Sequence, residues 1–116
     1  TGYILIDCGN ATTASYISNT TPIPYDKPEI AACTALAGNQ LGMNHFYLDG
    51  GSGAKQAIST ETIAQVKHIT KGFVTVGGGI KSAAGIKSAW NAGANMVVIG
   101  TAFENDPSFI NELENL

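Results

Sequence analysis

The sequence predicts an α/β protein built from four strand–helix units, the C-terminal (βα)4 half of a (β/α)8 (TIM) barrel. Three observations carry this prediction. Four short apolar runs recur along 116 residues, helical patterns separate them, and three of the runs end in small, glycine-rich turns. The runs are rich in β-branched or aromatic residues and none alternates cleanly with polar ones. That is the pattern of parallel strands covered on both faces.

The first run, Tyr3-Ile4-Leu5-Ile6, opens the chain inside a strand, so more chain is expected upstream of Thr1. Residues 8–27 form a long Thr/Asn/Ser/Pro stretch with one helical turn expected around residues 14–17. Loops of that length usually carry function or cover a site. Pro28 has the preset φ of a helix start. Ile30, Cys33, Ala37 and Leu41 then recur at helical spacing, and Gly42 ends the run. The second strand is His45-Phe46-Tyr47-Leu48. After it, Ser59 or Thr60 caps a helix carrying Ile63, Val66 and Ile69, with Gly72 beyond its end. Phe73-Val74-Thr75-Val76 is the third strand, and Ser82 caps the helix that runs through Ile86, Ala89 and Trp90 to Gly93. The fourth strand is Met96-Val97-Val98-Ile99, and Asp106-Pro107 opens a last helix with Phe109, Ile110 and Leu113.

Repeated units of this kind either close into a barrel or open into a doubly wound sheet. A dinucleotide fold wants G-x-G-x-x-G followed by an acidic residue about 20 positions later. Here the run is Gly77-Gly78-Gly79-Ile80-Lys81-Ser82, and no Asp or Glu occurs between Glu61 and Glu104. The P-loop pattern is absent as well. Hydrophobic content of 44% and charged content of 13% suit one globular domain, residues 1–116. The net charge of −3, with six scattered lysines and no arginine, argues against a nucleic-acid partner. Any anion must then be held mainly by backbone N–H groups. Cys8 and Cys33 suit a reduced, cytoplasmic protein, and no apolar run reaches the ~20 residues of a membrane span.

The glycine turns are where chemistry is expected. They are Asp49-Gly50-Gly51-Ser52-Gly53, Gly77-Gly78-Gly79 and Gly100-Thr101-Ala102. Glycine allows positive φ and close approach, so consecutive N–H groups can converge on an anion. Ser82 starts a helix whose amino end adds partial positive charge. In (β/α)8 barrels a phosphate site of this kind commonly follows strands seven and eight. The same glycines could instead simply make tight turns. Asp49 ends a strand beside such a turn, where a carboxylate could orient or deprotonate a substrate hydroxyl, or be satisfied by turn N–H groups. Tyr47 points to the same face. Lys55 and Lys81 either touch phosphate or are solvated. Asp7, His45 and His68 read as ordinary polar positions without metal-ligand spacing.

Tyr47-Leu48-Asp49-Gly50-Gly51-Ser52-Gly53-Ala54 resembles the Tyr-Leu-Glu-Ala-Gly-Ser-Gly-Ala stretch of geranylgeranylglyceryl phosphate synthases and their heptaprenyl relatives. Val76-Gly77-Gly78-Gly79-Ile80-Lys81-Ser82 is similar to their Val-Gly-Gly-Gly-Ile-Arg-Ser. Ala92-Gly93-Ala94-Asn95, then Val97-Val98-Ile99-Gly100-Thr101, resembles their Ala-Gly-Ala-Asp and Val-Val-Gly-Asn/Thr. The stretch from Tyr16 through Pro22-Ile23-Pro24 to Lys27-Pro28-Glu29-Ile30 fits the loop and helix after the family's fifth strand.

The resemblance implies strands five to eight of a (β/α)8 prenyltransferase. In that reaction the C3 hydroxyl of sn-glycerol 1-phosphate attacks C1 of a prenyl diphosphate, pyrophosphate leaves and an ether bond forms, in ether-phospholipid biosynthesis. Carried over, Tyr47, Leu48, Asp49, Gly50, Gly51, Ser52, Gly53, Gly78, Gly79, Gly100 and Thr101 would bind glycerol 1-phosphate. Asp49 would be the catalytic residue in place of the family's glutamate, and Gly50 replaces the usual alanine. The family's Mg²⁺ ligands follow its first two strands, so no metal ligand is expected in this chain. The implied partners are the N-terminal half-barrel, the two small-molecule substrates, further copies in a homo-oligomer, and a membrane only transiently through the lipid product. Two alternatives stay open: another phosphate-binding barrel enzyme, and a non-catalytic half-barrel that self-associates.

Overall fold

The computed structural model describes residues 1–10, 13–114 and 116. Its strands are β1 (Gly2–Leu5), β2 (His45–Asp49), β3 (Phe73–Gly77) and β4 (Met96–Val98). Its helices are α1 (Thr13–Ser18), α2 (Pro28–Gln40), α3 (Thr60–Thr70), α4 (Ala83–Ala92), α5 (Thr101–Asn105) and α6 (Ile110–Leu113). A 3-10 turn, Pro107–Phe109, links the last two. The strands pair in parallel in sequence order, β1-β2-β3-β4. That order separates a barrel segment from a doubly wound sheet, in which the order reverses at a switch point. The architecture is a (βα)4 half of a (β/α)8 barrel.

Several helices begin at a local signal. Ser59 Oγ accepts the Thr62 N–H at 3.1 Å, and Ser82 Oγ accepts the Gly85 N–H at 3.1 Å, each satisfying a first-turn donor. Pro28 sits in the first turn of α2. Asp106 Oδ1 accepts from the Ser108 N–H at 3.1 Å, so the expected last helix opens as a 3-10 turn. The helical turn anticipated around residues 14–17 is α1. The Ala11-Thr12 part of the irregular stretch lies outside the described residues.

Among the described residues, helices cover one face of the sheet. Phe46, Leu48, Val74 and Val76 are buried there against Ile63, Val66 and Ile86. On the opposite face Tyr3, Phe73, Met96 and Val98 remain 40–55% exposed. The reading of strands covered on both faces therefore holds for one face within this chain. The α2 pattern also resolves differently from its spacing. Pro28, Ala31, Ala32 and Ala35 are buried, while Ile30, Cys33, Ala37 and Leu41 face outward. Small side chains let α2 approach closely, and Gly38 lies so near that an added Cβ would meet the Phe46 ring at 3.2 Å.

After α1 the chain returns to β1, where Ile6 and Ile23 form a parallel bridge. The Ile23 N–H donates to Leu5 at 2.9 Å and its carbonyl accepts from Asp7 at 2.8 Å. The carboxyl end of β1 is thereby fixed beside the carboxyl ends of the other strands.

Candidate functional site

The glycine turns after β2, β3 and β4 converge at the carboxyl ends of the strands, around one cleft of about 550 Å³. The first two are in backbone contact. Gly78 has φ +93°, and a Cβ on it would sit 2.8 Å from the Gly51 N and O atoms. Gly79 has φ +73°, and its Cβ would fall 2.3 Å from the Gln56 carbonyl oxygen. No side chain fits at either position. The N–H groups of Gly78 and Gly79 make no hydrogen bond among the described residues. Gly100 differs. Its φ is −124°, and a Cβ there would meet only Glu104 Oε1, at 4.0 Å. Neither its conformation nor packing among the described residues requires glycine at that position.

Asp49 stands at the end of β2 in the wall of this cleft. Its Oδ1 accepts the Gly51 N–H at 2.7 Å, and its Oδ2 accepts the Tyr3 hydroxyl. The carboxylate is thus partly satisfied by its own turn and partly held from the neighbouring strand. Tyr3 stacks on Tyr47, with ring centroids 5.3 Å apart and planes 13° from parallel. Loss of hydration, then the hydrogen bond and charge of Asp49, push the Tyr3 phenol well above its ordinary range. Tyr47 is also pushed up, by burial first and then by the Asp49 charge. The Tyr47 hydroxyl lies over Gly77, 2.5 Å from where a Cβ would stand, with no hydrogen-bond partner among the described residues. Both phenols therefore stay protonated and can donate.

Of the residues named from the sequence, the cleft is lined by Tyr47, Asp49 and Gly51-Ser52-Gly53 from the first turn. Gly78 and Gly79 line it from the second, and Gly100 and Thr101 from the third. Two others do not reach it. The Leu48 side chain is fully buried on the helix-covered face, because strand side chains alternate and Tyr47 and Asp49 take the cleft side. Gly50 is buried over Cys8, and a Cβ on it would come 2.8 Å from Cys8 Sγ. Burial, then the charges of Asp7 and Asp49, raise that thiol from 9.0 to about 11. Lys81 lines the cleft, whereas the Lys55 stem packs on Gly9. Ser82 spends its hydroxyl on capping α4. Asp7 Oδ1 accepts the Gly9 N–H at 3.0 Å, and His45 Nε2 pairs with Thr75 Oγ1 at 2.7 Å.

Sequence reasoning missed Tyr3, Asp106, Phe109 and Glu112. The signal for Tyr3 was its place on the first strand, legible only once the register set it opposite Tyr47. The others come from a segment with no motif. Among the described residues no three His, Cys, Asp or Glu side chains gather as a metal site. No described helix is long and apolar enough to cross a membrane.

The PcrB family pattern matches residues 1–115. The chain belongs to the PcrB family. This PcrB-family chain is 49% identical over 113 residues to a protein of Spirosoma linguale named geranylgeranylglyceryl phosphate synthase. The match covers 97% of this chain and 45% of that protein. A protein of the same name from Nitrosopumilus maritimus is 41% identical over 116 residues, 100% of this chain and 45% of its own length. Among solved structures, GGGPS from Thermoplasma volcanium superposes with a TM-score of 0.84 at 28% identity, covering 97% of this chain and 45% of that one. The (S)-3-O-geranylgeranylglyceryl phosphate synthase of Thermoplasma acidophilum, in complex with substrate sn-glycerol-1-phosphate, superposes at 0.85 with 31% identity. That superposition covers 96% of this chain and 44% of the other. The PcrB-family chain thus spans about half the length of the relatives it matches.

Proposed function

We propose that this chain is the C-terminal half of a prenyltransferase and carries its glycerol 1-phosphate site. The observation that carries the reading is the meeting of two positive-φ glycine turns with Asp49 in one cleft. The phosphate of the substrate sits against the Gly78 and Gly79 N–H groups, with the amino end of α4 and Lys81 adding positive potential. Asp49 receives the C3 hydroxyl of the glycerol, orients it, and takes its proton as the oxygen attacks C1 of a prenyl diphosphate. An ether bond forms and pyrophosphate leaves with the electron pair of the broken C–O bond. Tyr47 offers its hydroxyl to the glycerol oxygens from the same wall.

Ionising the diphosphate is the task of the N-terminal half-barrel, and the Mg²⁺ of the family would have its ligands there. On this reading the chain alone does not transfer prenyl groups, and the paired halves do. The exposed face of Tyr3, Phe73, Met96 and Val98 is where that half would pack. The site is proposed to work in the cytoplasm, touching the membrane only through its product.

Calorimetry with sn-glycerol 1-phosphate and its 3-phosphate enantiomer tests the substrate, with preference for the 1-phosphate expected. Equal binding of the two would favour a different phosphate-handling barrel. Asp49→Asn in the full-length protein should lower turnover by about 10²–10⁴-fold while the phosphate is still bound. Unaltered turnover returns Asp49 to a structural role.

A further inference from the structure

We propose that Tyr3 is a positioning residue for Asp49, its phenol fixing the carboxylate in the orientation that receives the substrate hydroxyl. The inference rests on the reading of Asp49 given above. It comes from the register of two strands. β1 and β2 pair in parallel with Tyr3 opposite Tyr47 and Leu5 opposite Asp49, so Tyr3 and Asp49 are diagonal neighbours on one face. A long aromatic side chain spans that diagonal. The stack on Tyr47 holds the Tyr3 ring, and the ring delivers its hydroxyl to Asp49 Oδ2.

The geometry gives the carboxylate one donor on each oxygen. The Gly51 N–H occupies Oδ1 at 2.7 Å from the turn, and Tyr3 occupies Oδ2 from the neighbouring strand. An aspartate left alone has a broad terminal torsion. Two donors from different elements remove that freedom. An ionised carboxylate has about four lone-pair positions, so a position on each oxygen stays open to the cleft. Because ionisation of the phenol is pushed up, Tyr3 remains a donor at neutral and mildly alkaline pH. Orientation matters more for this residue than for the family's glutamate. An aspartate is one methylene shorter and cannot swing its oxygens back into reach.

The test is Tyr3→Phe in the full-length protein that contains this chain, which keeps the ring and the stack and removes only the hydroxyl. With a prenyl diphosphate and sn-glycerol 1-phosphate as substrates, kcat should fall on the order of ten- to hundredfold, the scale of a misplaced reacting group. KM for glycerol 1-phosphate should stay nearly unchanged, since the phosphate is held by the glycine turns. In an Asp49→Asn background the same substitution should have no further effect, because Tyr3 acts only through that carboxylate. An unchanged kcat in Tyr3→Phe, or an equal fold-loss in both backgrounds, would overturn the proposal. So would a lowered melting temperature with kcat intact, which would assign the phenol to stability alone. If Asp49→Asn itself keeps full turnover, the reading of Asp49 fails first and this inference falls with it.

Discussion

Gly50 shows how a single residue carries a constraint that its neighbours impose. Its φ is not positive, and the turn does not demand glycine there. What excludes a side chain is Cys8 Sγ, fully buried and 2.8 Å from the position of a Cβ. A thiol already fills the space that a side chain at position 50 would need. Gly50→Ala should therefore destabilise the fold by about 1–3 kcal/mol, the usual range for overpacking. Cys8→Ala combined with it should lose less than the sum of the two single changes, as read from urea midpoints. The thiol also predicts a pH dependence. Folding raises the Cys8 pKa from 9.0 to about 11, so the unfolded chain sheds this proton first. The associated stability is fully present below pH 9 and is lost as pH rises through about 11. Urea midpoints followed across that window should fall, and Cys8→Ala should flatten the first part of the fall.

Among the elements, the turn between α4 and β4 does more than connect them. The Asn95 N–H donates to the Val74 carbonyl at 2.8 Å, and Asn95 Oδ1 accepts the Val74 N–H at 3.0 Å. Lys67 Nζ, from α3, donates to the same Oδ1 at 2.8 Å and to the Gly72 carbonyl at 2.7 Å. One side chain therefore ties a helix, the start of β3 and the approach to β4. Asn95→Ala should cost about 1–3 kcal/mol by leaving a backbone donor unsatisfied. Asn95→Asp, the residue in the family pattern, keeps both acceptor contacts and should be neutral or slightly stabilising, within about 1 kcal/mol for a partly exposed pair. Denaturant titration of the two variants checks the contrast. Equal losses would show that the acceptor geometry is not what matters.

The open barrel face governs behaviour at the scale of the whole molecule. β1 and β4 end the sheet, and the face between them exposes Tyr3, Phe73, Met96 and Val98. Unpaired parallel edges and a bare apolar face invite association. Produced alone, this chain should elute as a dimer or larger species in size-exclusion chromatography with light scattering. Addition of the complementary half-barrel should convert it to a one-to-one complex. A stable monomer would contradict the expected self-association, and prenyl transfer by the chain alone would contradict the proposed division of labour between the halves.

The four strand segments, the starts of α2, α3 and α4 and the three glycine turns were legible in the residues because each depends on local chemistry. A proline presets φ, a serine caps a first turn, and a glycine run permits a backbone cup. Asp49 was legible for the same reason, as a carboxylate at the end of a strand beside such a run. The buried face of α2 was not, because its alanines and its larger apolar residues both recur at helical spacing, and close packing on Phe46 selects the smaller set. The removal of Leu48 and Gly50 from the cleft follows from strand alternation and from Cys8, which lies 42 positions before Gly50 in the chain. Tyr3 and Asp49 are 46 residues apart, and only the parallel register brings them together. The sequence by itself determined the strands, most of the helices and the chemistry each can offer, because those are set by neighbours along the chain. The tertiary structure decided which groups meet at the cleft, because pairing between distant strands depends on the packing of the whole sheet.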